Sequence, residues 1–273
     1  MKIQKKSSQS SLAEANSVRG FSGDMLAYLL ADLLQVTRDN AARASNEQLT
    51  PEFRTQLPPF FQHTILDMVP HGLVGYQVIV TPDGAPILVP NEFALVWYLS
   101  QIAYQSAQGT ASRFAYGPLH WLLFNKKTSW SAYPELFIKQ MEARKPVHLF
   151  ANPVNPQNCN TRILLSMTDS KLTQDQARKQ LALCLAEIQR VQLPGLESLI
   201  CWTDRNYVVV WENWTKGSKI DTQNLDFIAG YSGEVIMRTE AKNFQISAKA
   251  KGAEPKELVV GSEGACFNFI FSR

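Results

Sequence analysis

The sequence predicts an α+β protein: a helix-rich N-terminal half with one β-hairpin, then a mainly antiparallel β C-terminal half around one long packed helix. Three observations predict it. Apolar residues recur at helical spacing from Ser22 to about Ala44 and from Asn91 to about Ser106. Two β-branched runs are joined by the turn Thr81-Pro-Asp-Gly84. After residue 160, a capping-box helix is accompanied by strand-like runs punctuated by turn residues.

Residues 1–17 are dominated by Lys, Gln and Ser and read as a disordered basic tail, because too little apolar surface is present to offset the entropy of ordering. Leu26, Leu29, Leu30, Leu33 and Val36 then predict an amphipathic helix, with Asp32, Arg38, Asp39 and Arg43 on its other faces. A shorter helical stretch is expected over Glu52 to Met68, interrupted at Pro58 and Pro59. The hairpin pairs Gly75–Val80 with Ala85–Val89. Asn91 offers a cap to a helix through about Ser106, with Leu95, Val96, Leu99 and Ile102 as its buried stripe and Trp97, Tyr98 and Tyr104 making it apolar nearly all round. A further helix is expected from Pro134 to Arg144, on the Glu135–Lys139 spacing and the proline at its start.

Prolines and amides between Pro146 and Asn160 suggest a joining loop, which divides the chain into regions 18–150 and 151–273, as two domains or as two parts of one continuous domain. In the second region Arg162–Met167 reads as a strand. Thr173-Gln-Asp-Gln176 has the capping-box form, and Ala177, Leu181, Cys184, Ile188 and Val191 follow it at helical spacing. Leu199–Trp202, Tyr207–Trp211, Glu234–Thr239, Phe244–Lys249 and Ala265–Phe271 read as strands.

Composition narrows the function classes. With 45% hydrophobic and 19% charged residues, 14 Gly and 14 Pro, collagen-like, coiled-coil and disordered classes are excluded. The most apolar window, Phe93 to Ile102, is about half of the ~20 residues a membrane helix needs. Lys2, Lys5 and Lys6 are followed by polar residues where a secretory signal needs an apolar stretch, so a cytosolic location and no membrane contact are expected. The four cysteines lack metal or disulfide spacing, and His63, His71 and His120 supply no zinc pattern, so no metal is expected. Gly20–Gly23 and Gly230–Gly233 lack the second glycine of a nucleophile elbow, Lys216-Gly-Ser-Lys219 lacks the upstream glycine of a phosphate loop, and no cofactor is implied.

Three sets of residues carry candidate chemistry. Cys159, with His148 eleven positions earlier and Asp169 beyond, is the best thiol–base set available. Arg113, Lys126, Lys127, Lys249 and Lys251, near Phe114 and Trp130, are the candidates for nucleic-acid contact, although a net charge of +3 is a weak bias. Trp202, Tyr207, Trp211 and Trp214 are the candidate binding residues, because both faces of the Tyr207–Trp211 run are apolar and must be covered by something. These observations favour a non-enzymatic interaction or assembly protein, self-associating or a subunit of a larger complex, with a protein partner or second copy and with nucleic acid as a further contact. The order hairpin, helix, strand, helix over residues 75–192 resembles that of toxin-activating and related acyltransferases, over less than half of the chain. This resemblance implies an acyltransferase-like enzyme as the alternative, beside a thiol-dependent one.

Overall fold

The computed structural model describes residues 33–37, 55, 66–86, 88–124, 129–150, 159–218, 232–247 and 258–272. The early strands are β1 (Leu33–Thr37), β2 (Leu73–Val80), β3 (Glu92–Tyr98), β4 (Trp130–Ala132), β5 (Glu135–Leu136) and β6 (Val147–His148). The later ones are β7 (Cys159–Thr168), β8 (Leu196–Asp204), β9 (Tyr207–Thr215), β10 (Ser232–Glu240), β11 (Lys242–Ser247) and β12 (Ala265–Ser272). Helices are α1 (Gln101–Ala107), α2 (Ala111–Leu123) and α3 (Gln174–Val191), with a 3-10 turn at Val69–His71. Among the described residues no helix is long and apolar enough to cross a membrane.

The strands form two six-stranded sheets, ordered β11-β12-β2-β3-β1-β4 and β10-β7-β9-β8-β6-β5. Neighbours are antiparallel except β11 with β12 and β5 with β6. In the second sheet β7 and β8 flank β9 and are joined through α3, which makes the first part of a split β-α-β unit.

Side-chain alternation then builds the layers. Ile79, Phe93, Leu95 and Trp97 of the first sheet meet Ile163, Leu165, Trp202, Val209 and Trp211 of the second in one core between the sheets. The opposite face of the first sheet packs Val78, Ala94, Val96, Phe267 and Phe269 against Ala103, Tyr104, Ala107 and Phe124 from α1, α2 and the residue after α2. The opposite face of the second packs Leu164, Cys201, Val208 and Val210 against Leu181, Cys184, Leu185 and Ile188 of α3. Both sheets are therefore apolar on both faces, inside a single chain.

A polar chain crosses the inner core. Gln77 Nε2 on β2 donates to Thr161 Oγ1 on β7 at 3.0 Å, Thr161 donates to Asn213 Oδ1 at 2.7 Å, and Asn213 Nδ2 donates to Ser198 Oγ at 3.4 Å. On the outer face of the second sheet, Arg162 Nε and Nη2 donate to the two oxygens of Glu212 at 2.7 and 3.3 Å, and Trp214 Nε1 donates to the same carboxylate.

The helix-rich N-terminal half is corrected by this structure, which is mostly strand there. Leu33–Thr37, expected inside the first helix, is β1, hydrogen-bonded on both sides to β3 and β4. The rest of that helix, the basic tail, and the Glu52–Met68 stretch apart from Thr55 and residues 66–68 lie outside the described residues. The expected Asn91–Ser106 helix is β3 followed by α1. All seven β3 residues are buried, so the strand lacks polar alternation and its apolar run imitates helical spacing. Ser100, not Asn91, is the cap: its Oγ accepts from Ala103 N at 3.0 Å.

The expected Pro134–Arg144 helix is a strand and a loop, with Lys139 and Arg144 at φ of 78° and 60°. Phe137 and Met141 are both buried at helical spacing, yet the local backbone donors turn to neighbouring strands. Phe137 N donates to His148 O, and Arg144 N to Thr203 O. The hairpin keeps its first strand but returns through β3; of the expected return strand Ile87 lies outside the described residues, and Val89 N donates to Pro86 O instead of to β2. After residue 160 the expected strands and helix form, and Thr173 and Gln176 make the reciprocal capping box.

Gly264 enters β12 at φ +79°, and a Cβ there would lie 2.6 Å from the Val80 carbonyl oxygen. Gly84, at φ +73°, has nothing within 4 Å. Both glycines avoid left-handed strain, but only the first avoids a backbone collision. Gly264→Ala is expected to lower the stability measured by urea unfolding by more than about 1 kcal/mol, and Gly84→Ala by visibly less. Equal losses would show that the close approach at β2 does not matter.

Candidate functional site

The chemistry gathers where α1 and α2 cover the first sheet. Tyr98 ends β3 facing the helices and is 3% exposed. Thr110 starts α2 by accepting from Arg113 N at 3.2 Å and ties it to α1 by donating to Ala107 O at 2.8 Å. This short connection brings Tyr104 of α1 and Arg113 of α2 to the end of β3. Tyr133, just after β4, completes the group.

Three phenol rings stand edge-on in series. Tyr98 and Tyr104 have centroids 5.2 Å apart, and Tyr104 and Tyr133 6.1 Å apart, at interplanar angles of 74° and 88°. The series runs from the buried Tyr98 to Tyr133, which is 37% exposed. The Tyr133 hydroxyl is hydrogen-bonded to the Gln101 side chain. Arg113 Nε donates to Gln108 Oε1 at 2.9 Å, and a Cβ at Gly117, one turn on, would sit 3.4 Å from Arg113 Nη1. A helix position with no side chain thus leaves room beside the guanidinium.

Electrostatics make this a donor-rich group. Burial raises the pKa of Tyr98, the neighbouring Tyr104 phenol raises it further, and Arg113 partly offsets both. Tyr104 is raised by burial and by Tyr133, again against Arg113. All three phenols stay protonated at neutral pH and keep a proton they can donate. Burial, and then Arg113, push His120 down to about 3, so its imidazole is neutral, and it lies 4.8 Å from the Phe124 ring at a tilt of 42°. Phenols held protonated and an imidazole of this pKa are poor general bases. The arrangement suits recognition of an acceptor group.

Further along the same face, Glu92 is 1% exposed and accepts from Tyr76 OH at 3.0 Å through Oε1. Burial raises its pKa to about 8, against the lowering effect of the Tyr76 hydrogen bond. The carboxyl is protonated at neutral pH.

The residues singled out in the sequence lie elsewhere. Cys159 is buried, its thiol pushed up to about 12 by burial and by Glu197. His148 Nδ1 is 3.0 Å from Phe150 O on β6, three strands from β7 in the same sheet, or about 14 Å at the ~4.8 Å strand spacing. Asp169 follows the far end of β7, where its Oδ1 accepts from Lys171 N. Thiol, imidazole and carboxylate are not brought together, and among the described residues no group of three His, Cys, Asp or Glu is placed to hold a metal. Trp202, Tyr207 and Trp211 lie between the sheets and Trp214 beneath α3, each 1% exposed or less. Lys126, Lys127, Lys249 and Lys251 lie outside the described residues, and Arg113 belongs to the phenol group.

Tyr98, Tyr104, Tyr133 and Glu92 were not recognisable as a group in the sequence, since three of them fell within one expected helix. The available signal was Glu92 itself, an acid leading an otherwise apolar run.

No protein family and no curated protein matches the chain. Solved structures do. An anthrone oxidase-like protein is 12% identical with a TM-score of 0.34, over 77% of this chain and 92% of that one. A candidate monooxygenase from Lactobacillus acidophilus is 10% identical at 0.35, over 77% and 91%. Another from Fusobacterium nucleatum is 12% identical at 0.38, over 78% and 98%.

The expectation of an assembly protein is corrected. It rested on aromatic residues and two-sided strands needing cover from outside, and the chain covers them itself. The thiol alternative is not retained, as no imidazole among the described residues lies beside Cys159, and the element order behind the acyltransferase resemblance is replaced by β2, β3, two helices and four strands ahead of α3.

The two buried groups have opposite effects on stability against pH. Between the ordinary glutamate value of 4.5 and about 8, the folded chain keeps a proton on Glu92 that the unfolded chain releases, so stability falls as pH rises. Between about 3 and 6.5 the folded chain lacks the proton that unfolded His120 binds, so stability rises with pH. His148, also lowered by burial, has the same sign as His120. From pH 6.5 to 8 the Glu92 contribution stands unopposed by either. Stability from urea unfolding is expected to fall across that window by roughly 1.4 kcal/mol per pH unit, and the Glu92→Gln variant to lose most of the slope, Glu212, also raised by burial, having the same sign. The cysteines are expected to resist an aromatic disulfide reagent at pH 8 until urea unfolds the chain. All four thiols are buried with raised pKa values, so prompt native labelling of Cys159 would contradict the geometry.

Proposed function

We propose that this protein binds a small planar molecule bearing an oxyanion, an aromatic carboxylate or phenolate, at the phenol and guanidinium group of Tyr98, Tyr104, Tyr133 and Arg113. The observation that carries the reading is the edge-on tyrosine series, running from a buried ring to a part-exposed one beside an arginine. Protonated phenols and a guanidinium are donors, and their complement is an acceptor carrying negative charge. Ring edges and faces at Tyr104 and Tyr133 suit a flat apolar body next to that charge. The four unpaired thiols support placing the chain in the cytosol.

Naphthalene-2-carboxylate is a suitable probe, titrated calorimetrically against the full chain. Arg113→Gln is expected to weaken it about 10- to 100-fold, the ~1.5–3 kcal/mol of a charged hydrogen bond, and Tyr104→Phe by less. Both variants should keep the wild-type melting temperature within a few degrees. Equal affinity for the wild type and Arg113→Gln, or absence of binding at millimolar probe, would overturn the proposal.

A further inference from the structure

A second site lies on the opposite side of the molecule, between the outer surface of α3 and the loop after β5. The groove there has a volume of about 590 Å³, within the usual range for a small-molecule site. Its floor is apolar: Met141 from the loop, and Ala182, Leu183 and Ala186 from α3, with Leu183 72% exposed. Its rim is basic, with Lys139 on the loop and Arg178 and Lys179 on the helix. Asp175 is the one acid at the rim, and it is paired with Arg178. Among the described residues neither Lys139 nor Lys179 enters an ion pair, and the charge left over is positive.

The loop is held in place from within. Phe137 and Met141 are 3% and 7% exposed and packed into the core beneath α3, so the segment between them is pinned at both ends. Lys139 is presented from that segment at φ 78°, a conformation that a residue with a side chain adopts at a cost. A surface loop free to choose would relax it. Here the packing of its two flanking residues sets the lysine at the groove.

From this combination we infer that the groove binds a single-chain amphiphile with an anionic head, such as a fatty carboxylate, its head at Lys139 and Lys179 and its chain along Met141, Ala182, Leu183 and Ala186. Charge complementarity selects the head, and burial of the exposed Leu183 surface favours the chain. The site is separate from the phenol group and does not depend on it.

The test uses dodecanoate, below its micelle concentration, titrated calorimetrically against the full chain. Neutral dodecyl maltoside and cationic dodecyltrimethylammonium are run beside it. Dodecanoate is expected to bind one per chain and at least tenfold tighter than either control. The Lys139→Gln/Lys179→Gln double variant should lose that preference at least tenfold with an unchanged melting temperature. Leu183→Gln, at an exposed position that does not enter the core, should weaken dodecanoate severalfold. Arg113→Gln should bind dodecanoate as the wild type does. Equal affinity for the three amphiphiles, an unaffected double variant, or loss of dodecanoate binding in Arg113→Gln would each overturn the inference.

Discussion

Gln77 lies on one sheet and Thr161 on the other, and the hydrogen bond between them crosses a core otherwise filled with tryptophan, phenylalanine and branched aliphatic side chains. Apolar packing between two sheets is permissive about small slides, since rings and methyl groups find contacts at many offsets. A fully buried amide is not permissive, because losing its partner costs about 1–3 kcal/mol. With Asn213 and Ser198 extending the chain across three strands of the second sheet, one placement of sheet on sheet closes this series of hydrogen bonds, although Gln77 Oε1 finds no partner among the described residues. The outer faces, and everything the helices present on them, inherit their positions from it.

The inner core also explains why the surface chemistry sits where it does. Most of the largest side chains are spent between the sheets or directly beneath the helices, and the outward groups are left to the helices and their connections. The phenol series and the basic groove both combine a helix with a segment following a short edge strand, β4 in one case and β5 in the other. Edge strands of two or three residues leave the following chain unpaired by the sheet, so it can turn toward a helix.

How much of this was legible depended on whether turn or cap residues mark a segment's ends. From residue 160 onward, a capping box and separated strand runs mark α3, β8 and β9 clearly, because polar caps and turns punctuate them. Glu92–Tyr98 has no wet face at all, and a strand buried on both sides carries no period to distinguish it from a buried helix. Phe137 and Met141 mislead in the opposite way: a real four-residue spacing, produced by a loop whose donors bond to other strands. The candidate site was illegible for the same reason. Tyr98, Tyr104 and Tyr133 meet only because a strand, a helix and a loop converge, and placing the first two on one helix would have separated them by nearly two turns.

The first sheet is assembled from distant parts of the chain. β12 lies between β11 and β2, so it joins two strands that are far apart in sequence, and it runs parallel to β11 although it pairs antiparallel with β2. The second sheet has all its strands once residue 240 has emerged from the ribosome. During synthesis the edge of β2 therefore waits, hydrophobic on both faces and without its neighbour, until the last strand arrives. Such an edge is where two nascent chains join wrongly.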